Sequence, residues 1–195
     1  MDAHFETFAP EFSNGFRPAR GCTDALFILK EVLRKRKEHG LHTWLLFLDI
    51  TAAFDRVPRD LLWLSLKVCG VAPKLIRVLQ ALYTDRTGVL TIDGASSVLQ
   101  VGGGTCQGAL LAPRLFSYYI YVVLEIWLSD NLAGLTTMLC GTGVPAPAAA
   151  LLPAALLPLK LGLFNVADDT AAIFPSRESL QLHGGNLIHL LLDFG

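Results

Sequence analysis

Leu163-Phe164-Asn165-Val166-Ala167-Asp168-Asp169-Thr170-Ala171-Ala172-Ile173-Phe174 places two adjacent carboxylates between two apolar runs. The pattern predicts a β-hairpin with the acids at its tip. Successive side chains of a strand point to opposite faces, so two consecutive aspartates can share one site only at a turn. Read alone, such a pair marks a solvated loop more often than a cation site. The choice depends on whether the chain supplies a third carboxylate and a surface for a substrate.

A third carboxylate stands at the end of Thr43-Trp44-Leu45-Leu46-Phe47-Leu48-Asp49-Ile50. This run of apolar and aromatic residues predicts a strand buried on both faces, with Asp49 at its C-terminal end. A charge there is costly unless it meets a cation or the strand end opens into a cleft. Next come Thr51-Ala52-Ala53-Phe54-Asp55-Arg56-Val57-Pro58 and two predicted helices, one running from Pro58 to Gly70 and one covering residues 73–83. Residues 87–92 and 97–101 predict paired strands joined by Asp93-Gly94. Gly102-Gly103-Gly104-Thr105-Cys106-Gln107-Gly108 follows, either as a plain linker or as a loop whose backbone can pass close to a ligand. A long apolar helix is expected over about residues 110–128. Ser176 is expected to cap a last helix, interrupted by Gly184-Gly185.

Before the strand of Asp49, a loop carrying Arg17 and Arg20 leads to a helix capped by Thr23 or Asp24. That helix ends in Arg34-Lys35-Arg36-Lys37, with Gly40 as the stop. Cations in a last turn suit the helix dipole and equally suit a phosphate. The wider charge distribution is uneven. Residues 1–89 hold 13 Lys/Arg against 10 Asp/Glu, while residues 90–195 hold 3 against 7, so any phosphate-facing surface is expected in the first half.

At 195 residues, with 52% hydrophobic and 17% charged residues, the chain is long enough for a sizeable core and too apolar for disorder. Cys22, Cys69, Cys106 and Cys140 lie far apart with no CxxC pair. They fit neither a zinc site nor a disulfide framework, and read as reduced thiols of an intracellular protein, nuclear or cytoplasmic. Residues 1–6 lack the basic and apolar regions of a signal peptide. Residues 131–160 are Ala/Leu/Pro-rich low complexity. They lack charge between Asp130 and Lys160, but Pro145, Pro147, Pro153 and Pro158 argue against a membrane span.

These elements predict an α+β fold, an antiparallel sheet with helices on one side, in which Asp49 and Asp168-Asp169 meet if their strands are neighbours. Three carboxylates without His or Cys select hard cations such as Mg²⁺ or Mn²⁺. Two such ions serve nucleotidyl or phosphoryl transfer.

At this point the sequence resembles the fingers–palm portion of a reverse transcriptase of the non-LTR retrotransposon and group II intron type. Four blocks carry the resemblance, in the family's order: Gly15-Phe16-Arg17-Pro18-Ala19-Arg20 with Asp24-Ala25; Leu48-Asp49-Ile50-Thr51-Ala52-Ala53-Phe54-Asp55-Arg56-Val57-Pro58; Gln107-Gly108 through Pro113 with Leu115-Phe116; and Ala167-Asp168-Asp169. The resemblance implies a polymerase palm with a ferredoxin-like sheet and partial fingers, the thumb absent. Residues 1–40 would be a fingers-side segment, 41–130 and 161–195 palm, and 131–160 an insert. It implies RNA template, DNA primer and dNTP as partners and two Mg²⁺ (or Mn²⁺) ions as cofactor. Asp49 and Asp168 would hold the metal pair with Asp169 alongside. Phe54 would gate against the ribose 2′-hydroxyl, Gln107 and Gly108 would lie near the nucleotide and template, and Arg17 and Arg20 would contact phosphate or template. Val166 stands where the family usually has an aromatic residue, and Leu110 and Ala112 where it has Pro and Ser. A catalytically inactive remnant that at most binds nucleic acid is therefore the first alternative. An unrelated α+β protein with a Ca²⁺ or Mg²⁺ loop is the second.

Overall fold

The computed structural model describes residues 1–106, 108–140 and 162–194. Its centre is a three-stranded antiparallel sheet in the order β1 (Trp44–Asp49), β5 (Asp169–Phe174), β4 (Leu163–Val166). β4 and β5 form the hairpin the sequence predicts. Val166 faces Asp169 across it, so the connection is Ala167-Asp168. β1 pairs with the other edge of β5, with Asp49 opposite Asp169 and Phe47 opposite Ala171.

Strand alternation then sends Phe47, Asp49, Asp169, Ala171, Phe164 and Val166 to one face, and Leu46, Leu48, Thr170, Ala172 and Phe174 to the other. Against the second face packs α6 (Ala112–Cys140), whose Leu115, Phe116, Tyr118, Tyr119, Ile120, Val123, Leu124 and Trp127 are all buried. A helix apolar around its whole girth belongs inside. α6 runs further than expected, so residues 131–140 of the low-complexity stretch are helical and its remainder lies outside the described residues.

α2 (Cys22–Glu38) lies over β4 on the first face. Gly21 is its N-cap, and the Asp24 carboxylate reaches back to accept the Gly21 N–H at 2.8 Å, so Asp24 caps from inside the helix. α2 leaves β1 partly uncovered. Phe47 on that face is 66% exposed, and Trp44 on the other face, at the start of the strand, is 42% exposed, which corrects the expectation of a strand buried on both faces. The reason is position: β5 takes the sheet centre and β1 its edge.

α3 (Ala53–Arg56), α4 (Arg59–Val68) and α5 (Pro73–Tyr83) follow β1, and α4 packs on α6. β2 (Thr87–Ile92) and β3 (Ala95–Gln100) form a separate hairpin, with both turn residues at positive φ, Asp93 at 49° and Gly94 at 81°. The chain after β5 forms α7 (Arg177–Ser179), a π-helical turn (Leu180–Gly184) and α8 (Gly185–Asp193), with Ser176 capping as predicted. Gly184 lies where a Cβ would come within 3.0 Å of Leu46 on β1.

The N-terminal segment is more than a loop. After α1 (Asp2–Glu6), which buries Phe5 completely, residues 12–14 run beside the free edge of β4. The Asn14 N–H donates to the Asn165 carbonyl at 2.8 Å, and the Asn165 N–H donates to the Phe12 carbonyl at 2.9 Å. Among the described residues, no helix is long and apolar enough to cross a membrane.

Candidate active site

The three aspartates lie at one end of the sheet. Asp49 closes β1, Asp169 opens β5 directly opposite it, and Asp168 occupies the turn between them and β4. The side-by-side pair is Asp49 with Asp169, because a connection of Ala167-Asp168 makes the second aspartate the first ladder residue and leaves Asp168 in the turn. Side chains directly opposite in an antiparallel pair stand about 5 Å apart, and like charges there repel. Among the described residues, no ion pair and no hydrogen bond engages any of these three carboxylates. Three negative charges at neighbouring strand ends with no internal cation attract an external one, and their all-oxygen donor set fits a hard divalent ion. The described residues do not form a complete cage: no three His, Cys, Asp or Glu side chains stand within reach of one ion.

Phe54 sits five residues beyond Asp49, in α3, just after Ala52 in the left-handed conformation at φ 53°. Its ring is half-buried, stacked on Phe116 at 4.8 Å and edge-on to Phe16 at 6.3 Å. Phe16, 44% exposed, is a neighbour that the sequence reading did not single out. The Arg114 guanidinium donates to its carbonyl at 2.8 Å.

The glycine-rich loop approaches the chain's own backbone. Gly104, at φ 72°, has Asp55 O 2.7 Å from where a Cβ would stand, and its N–H donates to the Val57 carbonyl at 3.1 Å. The Thr105 N–H donates to the Phe54 carbonyl at 2.7 Å. Arg59 adds bonds to the Gly103 carbonyl at 3.0 Å and the Tyr83 carbonyl at 2.9 Å, and lies over the Tyr83 ring. The loop that leads to Gly108 is thus stapled to the segment carrying Phe54. Gly108 is exposed at φ 86°, and Gln107 lies outside the described residues.

The two arginines of the first block serve the fold. The Arg17 side chain is buried and donates to Glu6 Oε2 at 2.9 Å and to the carbonyls of Pro10 at 2.8 Å and Ser13 at 2.9 Å. Its Nε, Nη1 and Nη2 all donate within the chain, so the geometry gives it a structural part. Arg20 pairs with Glu11 Oε2 at 2.6 Å near the surface. Two arginines of the basic run are engaged as well. Arg36 donates to Thr43 Oγ1 at 2.8 Å and the His42 carbonyl at 2.6 Å, and Arg34 pairs with Glu31 and Glu38.

A small antiparallel sheet with carboxylates at a hairpin tip and at the adjoining strand end, backed by a long buried helix, defines a partial polymerase palm with fingers-side elements. Residues 1–194 match the family model described as reverse transcriptase (RNA-dependent DNA polymerase), and the chain belongs to that family. It is 32% identical over 111 residues to the RNA-directed DNA polymerase from mobile element jockey of Drosophila melanogaster. That match covers 56% of this chain and 12% of the relative. It is also 32% identical over 104 residues to the Pol polyprotein of a type-2 retrotransposable element of the same species, covering 53% and 10%. The chain therefore matches only about a tenth of the length of these curated relatives. In fold it resembles apo telomerase from Candida tropicalis, with a TM-score of 0.60 at 13% identity, covering 94% of this chain and 34% of that one. It also resembles telomerase from Candida albicans in complex with a fragment of telomeric RNA, at 0.57 and 10%, covering 98% and 31%. Family membership removes the reading as an unrelated cation-binding protein.

Proposed function

We propose that this chain is the palm and fingers-side part of an RNA-directed DNA polymerase that adds dNTPs to a DNA primer on an RNA template. The observation that supports it most is the register that sets Asp49 opposite Asp169 beside the Asp168 turn, with Phe54 five residues beyond Asp49. Asp49, Asp168 and Asp169 would hold two Mg²⁺ or Mn²⁺ ions. When bound, such ions lower the pKa of a primer hydroxyl and neutralise charge on the phosphates. The chain's own residues supply the rest. The aspartates orient the ions, and the Phe54 ring occupies the volume an added 2′-oxygen would need. The glycine loop is stapled at Gly104 and Thr105 to the segment carrying Phe54, and Gly108 beyond it would lie near the nucleotide and template. Arg20 is the nearer of the two first-block arginines to solvent.

Primer extension on an RNA template with Mg²⁺ tests the proposal. Incorporation is expected in the native chain, with a loss of more than about a hundredfold in Asp49→Ala and in Asp168→Ala. Incorporation that survives Asp168→Ala would refute the metal role. A second reading, an inactive remnant that at most binds nucleic acid, is favoured by the absence of a three-ligand cage among the described residues and by Val166 in place of an aromatic ring. Nucleic-acid binding without any incorporation would support that reading.

A further inference from the structure

We propose that Asn165 is a positioning residue that sets the geometry of the carboxylate hairpin, an inference that rests on the metal reading above. Asn165 is a polar residue inside the buried strand β4, only 2% exposed. Its Nδ2 donates to the Ala167 carbonyl at 3.0 Å, the Asp169 carbonyl at 3.3 Å and Thr170 Oγ1 at 3.1 Å. Those three oxygens bracket Asp168. Two N–H bonds shared among three acceptors hold both sides of the turn in one geometry.

The turn needs such a hold. Ala167 sits at φ 58°, a left-handed conformation that strains an L-residue. Asp49 and Asp169 also repel across the ladder, which favours parting β1 from β5 at the end where the turn begins. The backbone of Asn165 is fastened on the opposite side, its N–H to Phe12 and its carbonyl to Asn14. One residue further along the same N-terminal strap, Gly15 presses on the tip: a Cβ on it would stand 2.3 Å from the Ala167 nitrogen. The amide and the strap together leave the turn one arrangement in which Asp168 and Asp169 can be presented.

A leucine at this position would keep the burial and remove the donor that those three oxygens share. An aspartate would set a carboxylate against them. Either change would place the metal-binding carboxylates wrongly without altering one of them, and outer groups that orient metal ligands typically change affinity by about 10–100-fold.

The test is Mn²⁺ binding to the full chain, read by electron paramagnetic resonance of the free ion, beside steady-state dNTP incorporation. Asn165→Ala should weaken Mn²⁺ about tenfold and lower kcat while KM for dNTP stays within about threefold. Thr170→Val removes one acceptor, leaves the fold-holding amide in place, and should weaken Mn²⁺ by about two- to threefold, so the proposal stays testable if the alanine variant does not fold. Gly15→Ala, which removes no hydrogen bond, should weaken Mn²⁺ as well. If Asp49→Ala loses Mn²⁺ while folded Asn165→Ala and Thr170→Val retain the native affinity, the positioning role is overturned and the metal reading stands. If the native chain binds no Mn²⁺, or Asp49→Ala binds it unchanged, the metal reading falls and the positioning role with it.

Discussion

Residues of one type do different work here, and surroundings rather than identity decide which. Arg17 and Arg20 stand three apart in the same block, yet the Arg17 side chain is buried among four acceptor oxygens while Arg20 makes one surface pair. Nothing local in the sequence separates them, because Glu6, Pro10 and Ser13 reach Arg17 only once α1 has docked. Asn165 did leave a trace, as a lone amide inside an otherwise apolar strand. A buried polar group must find partners, so that position signals a clamp. Phe54 was singled out only by the resemblance, through its place five residues after Asp49, and its contacts with Phe16 and Phe116 were not legible. Those contacts support a prediction. Because both rings hold Phe54 in place, Phe54→Ala should reduce discrimination against ribonucleotides by about tenfold or more, as a pocket that excludes one oxygen by shape is opened. It should also cost about 2 kcal/mol of stability. Single-nucleotide incorporation of matched dNTP and rNTP, with urea unfolding alongside, measures both effects. Unchanged discrimination in a folded variant removes the gate assignment.

Secondary elements were the most legible level, since their signals are local. α5 and the Asp93-Gly94 hairpin lie where periodicity and turn chemistry put them. Neighbourhood was less legible. β1 reads as a central strand from its apolar run, but a strand cannot announce which partner takes its other edge, and β5, arriving some 120 residues later, takes the centre. The glycine-rich loop has the same character. Its composition suggests a close backbone approach, and the approach is real, but it is to Asp55. This gives the element its own prediction. In Gly104→Ala the new Cβ would meet Asp55 O and Asp55 Cα, fixed backbone atoms, at a φ that L-residues avoid. A loss of about 2–4 kcal/mol is expected, from backbone strain and displacement of the loop. Because the loop is bonded to the Phe54 carbonyl, hydrogen exchange at the Thr105 amide should quicken in the variant. Native exchange there, together with a native urea midpoint, would show that the loop tolerates the shift.

At the scale of the molecule, α6 joins the parts of the chain. Tyr118 donates its hydroxyl to the Met1 carbonyl at 3.2 Å and lies 2.9 Å from His4 Nδ1, and Tyr119 donates to the Phe194 carbonyl. An apolar helix was legible there, but the segments it ties were not, because these contacts close loops of up to 117 residues. The tyrosines also give the fold a pH dependence. Burial pushes Tyr118 and Tyr119 up to about 12 from an ordinary value near 10, and the neighbouring Cys69 raises Tyr118 further. Burial likewise pushes the Cys69 thiol up to about 11 from near 9. In each case the native state holds a proton that the unfolded chain releases. The stabilisation is therefore complete below pH 9 and is lost as pH rises, first through the Cys69 window of 9 to 11 and then through the tyrosine window of 10 to 12. The urea midpoint, measured with reductant present, should be level from pH 7.5 to about 9 and then fall. Cys69→Ala should move the onset up toward pH 10, where the unfolded tyrosines begin to titrate. A midpoint level through pH 11 would mean that neither the thiol nor the two phenols keep their protons because of the fold.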